Sequence, residues 1–85
     1  MSPKSAVTAN RKRTAREHLA VNLVLMRRAR GWSQEDLALE AGLHRTFVAH
    51  VERGARNISL DNIEKLAVVL DVETYRLLTP QATEA

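Results

Sequence analysis

The 85-residue chain contains no cysteine, so neither disulfides nor thiolate metal ligands are available, and its core must rest on packing alone. No apolar run reaches the length needed to cross a bilayer. The basic N-terminus also lacks the apolar segment of a signal peptide, so a cytoplasmic location is expected. Chemistry is equally sparse. His18, His44 and His50 show no metal-ligand spacing: His44 and His50 are six apart, where one helix face would need three or four. No nucleophile motif, glycine-rich phosphate loop or carboxylate pair stands out, and Ser33, Ser59 and Asp61 suit helix caps and first turns. The expectation is a protein that is not an enzyme and takes no cofactor, metal or small-molecule ligand.

Acids are missing from residues 1–16, where Lys4, Arg11, Lys12, Arg13 and Arg16 give +5; the overall net charge is +3, so residues 17–85 total −2. The basicity lies in this arm. A stretch of small polar residues and arginine buries too little apolar area to order itself, which makes 1–16 a flexible arm before a domain over 17–79 and a short flexible tail over 80–85. Fully extended, the first 14 residues would span on the order of 45 to 50 Å, enough to follow a DNA backbone or enter a neighbouring groove. An inert, solubilising tail is the competing reading. With 45% hydrophobic residues, a chain of this length allows one domain, and a five-helix bundle is about the largest fold that one core could fill. A separate sensor domain is not expected.

Glycine is also scarce, with three in all, and two of them punctuate helices. A first short helix is predicted to start at the cap Ser33, with Asp36 in the capping-box position, and to stop at Gly42, which can take the left-handed conformation. Gln34 to Ala41 are mostly good helix formers, and Leu37, Ala38 and Ala41 face inward. After Leu43 and His44 a second helix runs to about Arg53 and stops at Gly54, with Val48 and Val51 on one face and Phe47 beside them. At about 100° per residue, Thr46, Ala49, His50 and Arg53 point away from Val48, with Arg45 at the flank.

That leaves a short, polar, basic face without long apolar side chains. A DNA major groove admits such a helix: arginine can bridge guanine O6 and N7, threonine can serve several bases, and alanine can touch a thymine methyl. Helix pairs of this kind are nevertheless common in small α-helical proteins, and polar faces are usually just solvated. The wider pattern separates the two readings. In residues 30–38, 41–54 and 55–67, Gln34, Ala38, Gly42, Glu52 and Gly54 fall in register together. Over roughly Leu19 to Leu78 the chain resembles the Cro/C1-type (XRE-like) helix-turn-helix transcriptional regulators. Within them it is most similar to the small controller proteins of restriction-modification systems.

The resemblance implies an all-α, five-helix, lambda-repressor-like DNA-binding domain. It places Arg45, Thr46 and Ala49 at base-facing positions, with His50 also outward, and Ser33, Gln34, Arg53, Arg56 and Asn57 at positions that hold phosphates. Phosphate contacts fix register, whereas base contacts specify sequence. It further implies a structural ion pair between Arg27 and Glu52. Outside the motif, Leu19, Leu23 and Met26 share a helical face, Trp32 closes the core near the turn, and Leu60, Ile63, Leu66, Ala67 and Leu70 repeat the pattern after Ser59. Val72, Tyr75, Leu77 and Leu78 suggest a fifth helix ending near Thr79, before Pro80. Its start is open, because Asp71 stands where the family often has glycine.

Val21, Val24 and Leu25 lie away from the Leu19 and Leu23 face, where a solvated helix would be polar. Related regulators dimerise through the fifth helix, which places a dimer contact at Val68, Tyr75 and Leu78 and leaves the Val21 patch as the second choice. A two-fold dimer would set recognition helices about 34 Å apart and read a palindromic operator. The expected function is therefore a sequence-specific regulator that binds double-stranded DNA as a homodimer. The alternative is a protein-interaction module, antitoxin-like or adaptor, that buries Val21, Val24 and Leu25 against a partner.

Overall fold

Thr14 opens the first helix with a capping box. Its hydroxyl accepts from the Glu17 N–H at 3.2 Å, and the Glu17 carboxylate accepts from the Thr14 N–H at 2.8 Å. In this computed structural model, which describes residues 13–55 and 57–81, the first helix therefore begins within the stretch expected to be arm. Helix α1 covers Ala15–Ala29 and is followed by α2, Gln34–Ala41, α3, Arg45–Glu52, α4, Leu60–Leu70, and α5, Thr74–Leu77. The described residues contain no strand.

Local chemistry sets most of these limits. Ser33 and Asp36 form the predicted reciprocal cap of α2, at 3.0 and 2.9 Å. Gly42 ends the helix at φ 71°, and the Leu43 N–H returns to the Ala38 carbonyl at 2.8 Å, satisfying an acceptor that a helix end otherwise leaves open. This closes the tight turn that aims α3. The Ser59 hydroxyl accepts from the Asn62 N–H at 3.1 Å to start α4. Asp71 ends α4 at φ 58° and ψ 46°. It holds the left-handed position without being glycine, as aspartate and asparagine tolerate best among the other residues.

The core is one cluster that includes Leu19, Leu23, Leu37, Val48, Val51, Ile63, Leu66, Leu70 and Leu77, with Met26, Trp32 and Phe47 partly buried against it. Helix α3 packs on α2 and α1, and α5 packs on α4 and α1. One apolar expectation is corrected: Leu60, assigned to the inward repeat of α4, is 70% exposed. Leu60 is the first residue of its helix, and because side chains tilt toward the N-terminus, it projects past the helix end and off the core. The Val21 patch also shrinks: Val21 and Val24 are half-buried within the chain's own fold, leaving Leu25 as its exposed member.

Two polar side chains fasten the bundle in ways that sequence reading missed. Asn22 is fully buried, and its Nδ2 donates to the carbonyls of Arg76, Leu77 and Thr79 at 3.1, 3.0 and 2.8 Å. It thereby serves the open acceptors at the end of α5. Its Oδ1 is buried and has no partner among the described residues, and the same holds for Nδ1 of His18, one turn earlier on α1. Arg30 donates from Nη2 to the Leu70 carbonyl at 3.2 Å, and its guanidinium carbon lies 5.1 Å from the centre of the Trp32 ring, within cation–π range. Gln81, placed in a flexible tail by the sequence, donates to the Arg76 carbonyl at 2.7 Å.

Candidate nucleic-acid interface

Helix α3 divides into two faces. Val48 and Val51 are buried, whereas Arg45, Thr46 and Arg53 are exposed and Ala49 and His50 are half-buried at the margin. Arg45 and Thr46 make no side-chain hydrogen bond or ion pair among the described residues. Their polar groups thus remain available to an outside partner. The face is short and basic and carries no bulky apolar side chain, so it can enter a groove and offer donors to base edges.

Behind that face a polar cluster holds α3 in place. The Arg27 Nε donates to Glu52 Oε2 at 2.6 Å and Nη2 donates to Oε1 at 3.0 Å, while Nη1 donates to the Trp32 carbonyl at 3.0 Å. Gln34 Nε2 also donates to Glu52 Oε1, at 2.9 Å. One carboxylate therefore joins α1, α2 and α3, and the guanidinium adds the turn between α1 and α2. The ion-paired side chains are only 10% and 5% exposed. The hydrogen bond to Glu52 raises the Arg27 pKa above its ordinary value, against the lowering effect of burial, so the guanidinium is charged throughout the working range of pH. The backbone N–H of Ser33, with a smaller effect of its hydroxyl, holds the Asp36 carboxyl below the usual carboxylate range.

The predicted phosphate-holding residues flank this arrangement. Gln34 commits one amide N–H to Glu52 and retains the other, a tie that the sequence reading did not include. The Ser33 hydroxyl accepts the Asp36 N–H at 3.0 Å and stands exposed just before α2. Asn57 is exposed, and its Oδ1 accepts from Arg16 Nη2. That bond links the start of α1 to the loop after α3, so Arg16 is tied to the folded bundle. Arg56 lies outside the described residues, as do Lys4, Arg11 and Lys12 of the arm. Among the described residues no helix is long and apolar enough to cross a membrane, and no cluster of three or more histidine, cysteine or acidic side chains could hold a metal.

The geometry can be set beside known proteins. The helix-turn-helix family profile matches residues 23–77. A protein of Neisseria meningitidis described as a hypothetical transcription factor is 55% identical over 62 residues, which cover 73% of this chain and 58% of that protein. The chain thus spans about three fifths of that relative. Among solved structures, the restriction-modification controller protein C.AhdI from Aeromonas hydrophila is 48% identical with a TM-score of 0.70, over 73% of this chain and 94% of that one. The master regulator for biofilm formation SinR, solved in complex with DNA, is 31% identical with a TM-score of 0.69, over 72% of this chain and 98% of that one. With its five helices and the motif in register, the chain belongs to the Cro/C1-type helix-turn-helix family.

Proposed function

We propose that this protein is a sequence-specific transcriptional regulator that binds a palindromic operator as a homodimer, with α3 in the major groove. The observation that carries this reading is the outward face of α3: Arg45 and Thr46 stand exposed and without polar partners among the described residues on a helix fixed from behind by the Arg27–Glu52 pair. In this reading Arg45, Thr46, Ala49 and His50 read bases. Ser33, Gln34, Arg53, Arg56 and Asn57 hold phosphates. The dimer forms through Val68, Tyr75 and Leu78, of which Val68 is 75% and Tyr75 63% exposed. Its action is non-enzymatic and belongs in the cytoplasm, where operator DNA is found.

Support comes from the family membership and from SinR, a relative of the same fold whose structure contains DNA. The protein-interaction alternative relies on the Val21 patch, which the chain's own packing reduces to Leu25. Selection of binding sites from random duplexes tests the proposal. The expected product is an inverted repeat with half-sites about one helical turn apart, bound with an affinity that falls steeply with salt. Failure to enrich any sequence, or binding indifferent to salt, would overturn it.

A further inference from the structure

A groove between α4 and α5 is bounded by Ala67, Val68, Asp71, Val72, Glu73 and Arg76. Its rim is apolar and open, since Val68 is 75% exposed and Tyr75, next to Arg76, is 63% exposed. Arg76 Nη2 donates to Gln81 Oε1 at the long distance of 3.5 Å, and Asp71, Glu73 and Arg76 form no ion pair among the described residues. Glu73 precedes α5 without making a side-chain cap bond, and Arg76 lies one turn on.

The charges restrict what fits. Two acids in the groove disfavour nucleic acid, and a ligand of a single sign would meet a like charge on one side or the other. The matching surface must carry both signs at the same short spacing beside apolar groups, and this surface does so itself. In a two-fold contact residue i meets residue j and j meets i, so a pattern of neighbouring opposite charges becomes complementary to its own copy.

We infer that a second copy of this chain occupies the groove, with Glu73 of each copy paired to Arg76 of the other, so that two symmetric ion pairs select self over other regulators of the same fold. The inference rests on the homodimer reading above and assigns its specificity to these two residues. Apolar contact at Val68 and Tyr75 supplies attraction, while the charges decide which partner is accepted, because like charges set opposite each other at an interface are strongly disfavoured.

Charge reversal tests it, with sedimentation velocity on the full chain and circular dichroism to verify folding. Both positions are exposed, so reversal leaves the core untouched. The wild type is expected to be a dimer at micromolar concentration. Glu73→Arg or Arg76→Glu alone should raise the dimer Kd by at least about tenfold, since each sets like charges together twice. The double reversal should return the Kd to within roughly threefold of wild type, and a mixture of wild type and double reversal should form two homodimers without a hybrid. A wild-type dimer indifferent to the single reversals, or a folded double reversal that stays dissociated, would overturn the inference and leave the homodimer reading standing. A monomeric wild type would overturn both.

Discussion

Asn22 on α1 donates to the Leu77 carbonyl at the end of α5 across 3.0 Å, joining residues 55 positions apart. With the bonds to Arg76 and Thr79 it is the polar fastening of the C-terminal segment, which otherwise docks through Leu77.

Asn22→Leu keeps a side chain of similar size but removes the donor from those carbonyls. It also removes the unpartnered Oδ1, which recovers part of the loss. The expected net cost is about 1 to 3 kcal/mol, read as a lower Tm with faster amide exchange at Leu78. Asn22→Asp should be worse at neutral pH, because it sets a carboxylate against carbonyl oxygens. Wild-type exchange at Leu78 in Asn22→Leu would show that apolar contact alone holds α5.

Removing the Glu52 carboxylate strands the Arg27 guanidinium in a nearly closed site and frees the Gln34 amide. Glu52→Ala should lose about 3 to 5 kcal/mol, the usual penalty for an orphaned buried charge, and lose DNA binding only as a consequence. Thermal unfolding decides it: a variant that melts with the wild type would remove Glu52 from its structural role.

Asp36 gives the fold an acid-sensitive component. Its folded pKa lies below the unfolded value, so the unfolded chain binds the proton more readily. The contribution is present above the ordinary carboxylate pKa near ~4 and is lost as pH falls through the lower folded value. Asp36→Asn should flatten the dependence of Tm on pH in that range. An unchanged acid limb would assign the effect to other carboxylates.

Thr14 marks where truncation begins to matter. Deletion of residues 2–12 should leave Tm unchanged, whereas Thr14→Ala should cost about 0.5 to 2 kcal/mol through the lost cap. Equal melting of Thr14→Ala and wild type would make the capping box dispensable. The salt dependence of DNA affinity for the 2–12 deletion separates the two readings of the arm: a shallower slope means that it follows the phosphates, and an unchanged slope leaves it a solubilising tail.

Base and phosphate roles have different signatures. Arg45→Ala should lose about 1 to 3 kcal/mol of discrimination at one base position, while Arg53→Ala should weaken binding evenly across sequences and reduce the salt slope by about one. Uniform loss from Arg45→Ala would move that residue to the backbone.

The helices of the motif were legible because their limits are set by neighbours in sequence: Ser33 with Asp36, and Gly42 and Gly54 at the stops. The Thr14 and Glu17 box was equally local, but the basic composition around it read as arm. Asn22 was not legible, since its acceptors are backbone carbonyls 54 to 57 residues away and no side-chain type at those positions announces them. The Arg16 bond to Asn57 was hidden for the same reason. Leu60 fits the apolar repeat of α4, yet periodicity does not register that a first-turn side chain overhangs the helix end. Gln34 was placed by resemblance alone, and only the folded chain brings it to Glu52.

The residues that would choose a DNA sequence are not the residues that hold the fold. Arg45 and Thr46 contact no polar partner among the described residues, while Glu52, on the same helix, gathers the fastening bonds. Variation at 45 and 46 is therefore nearly free of folding consequences, and a randomised library at these positions should stay mostly soluble and helical. Copies of such a gene can diverge in target preference one substitution at a time without passing through an unfolded intermediate.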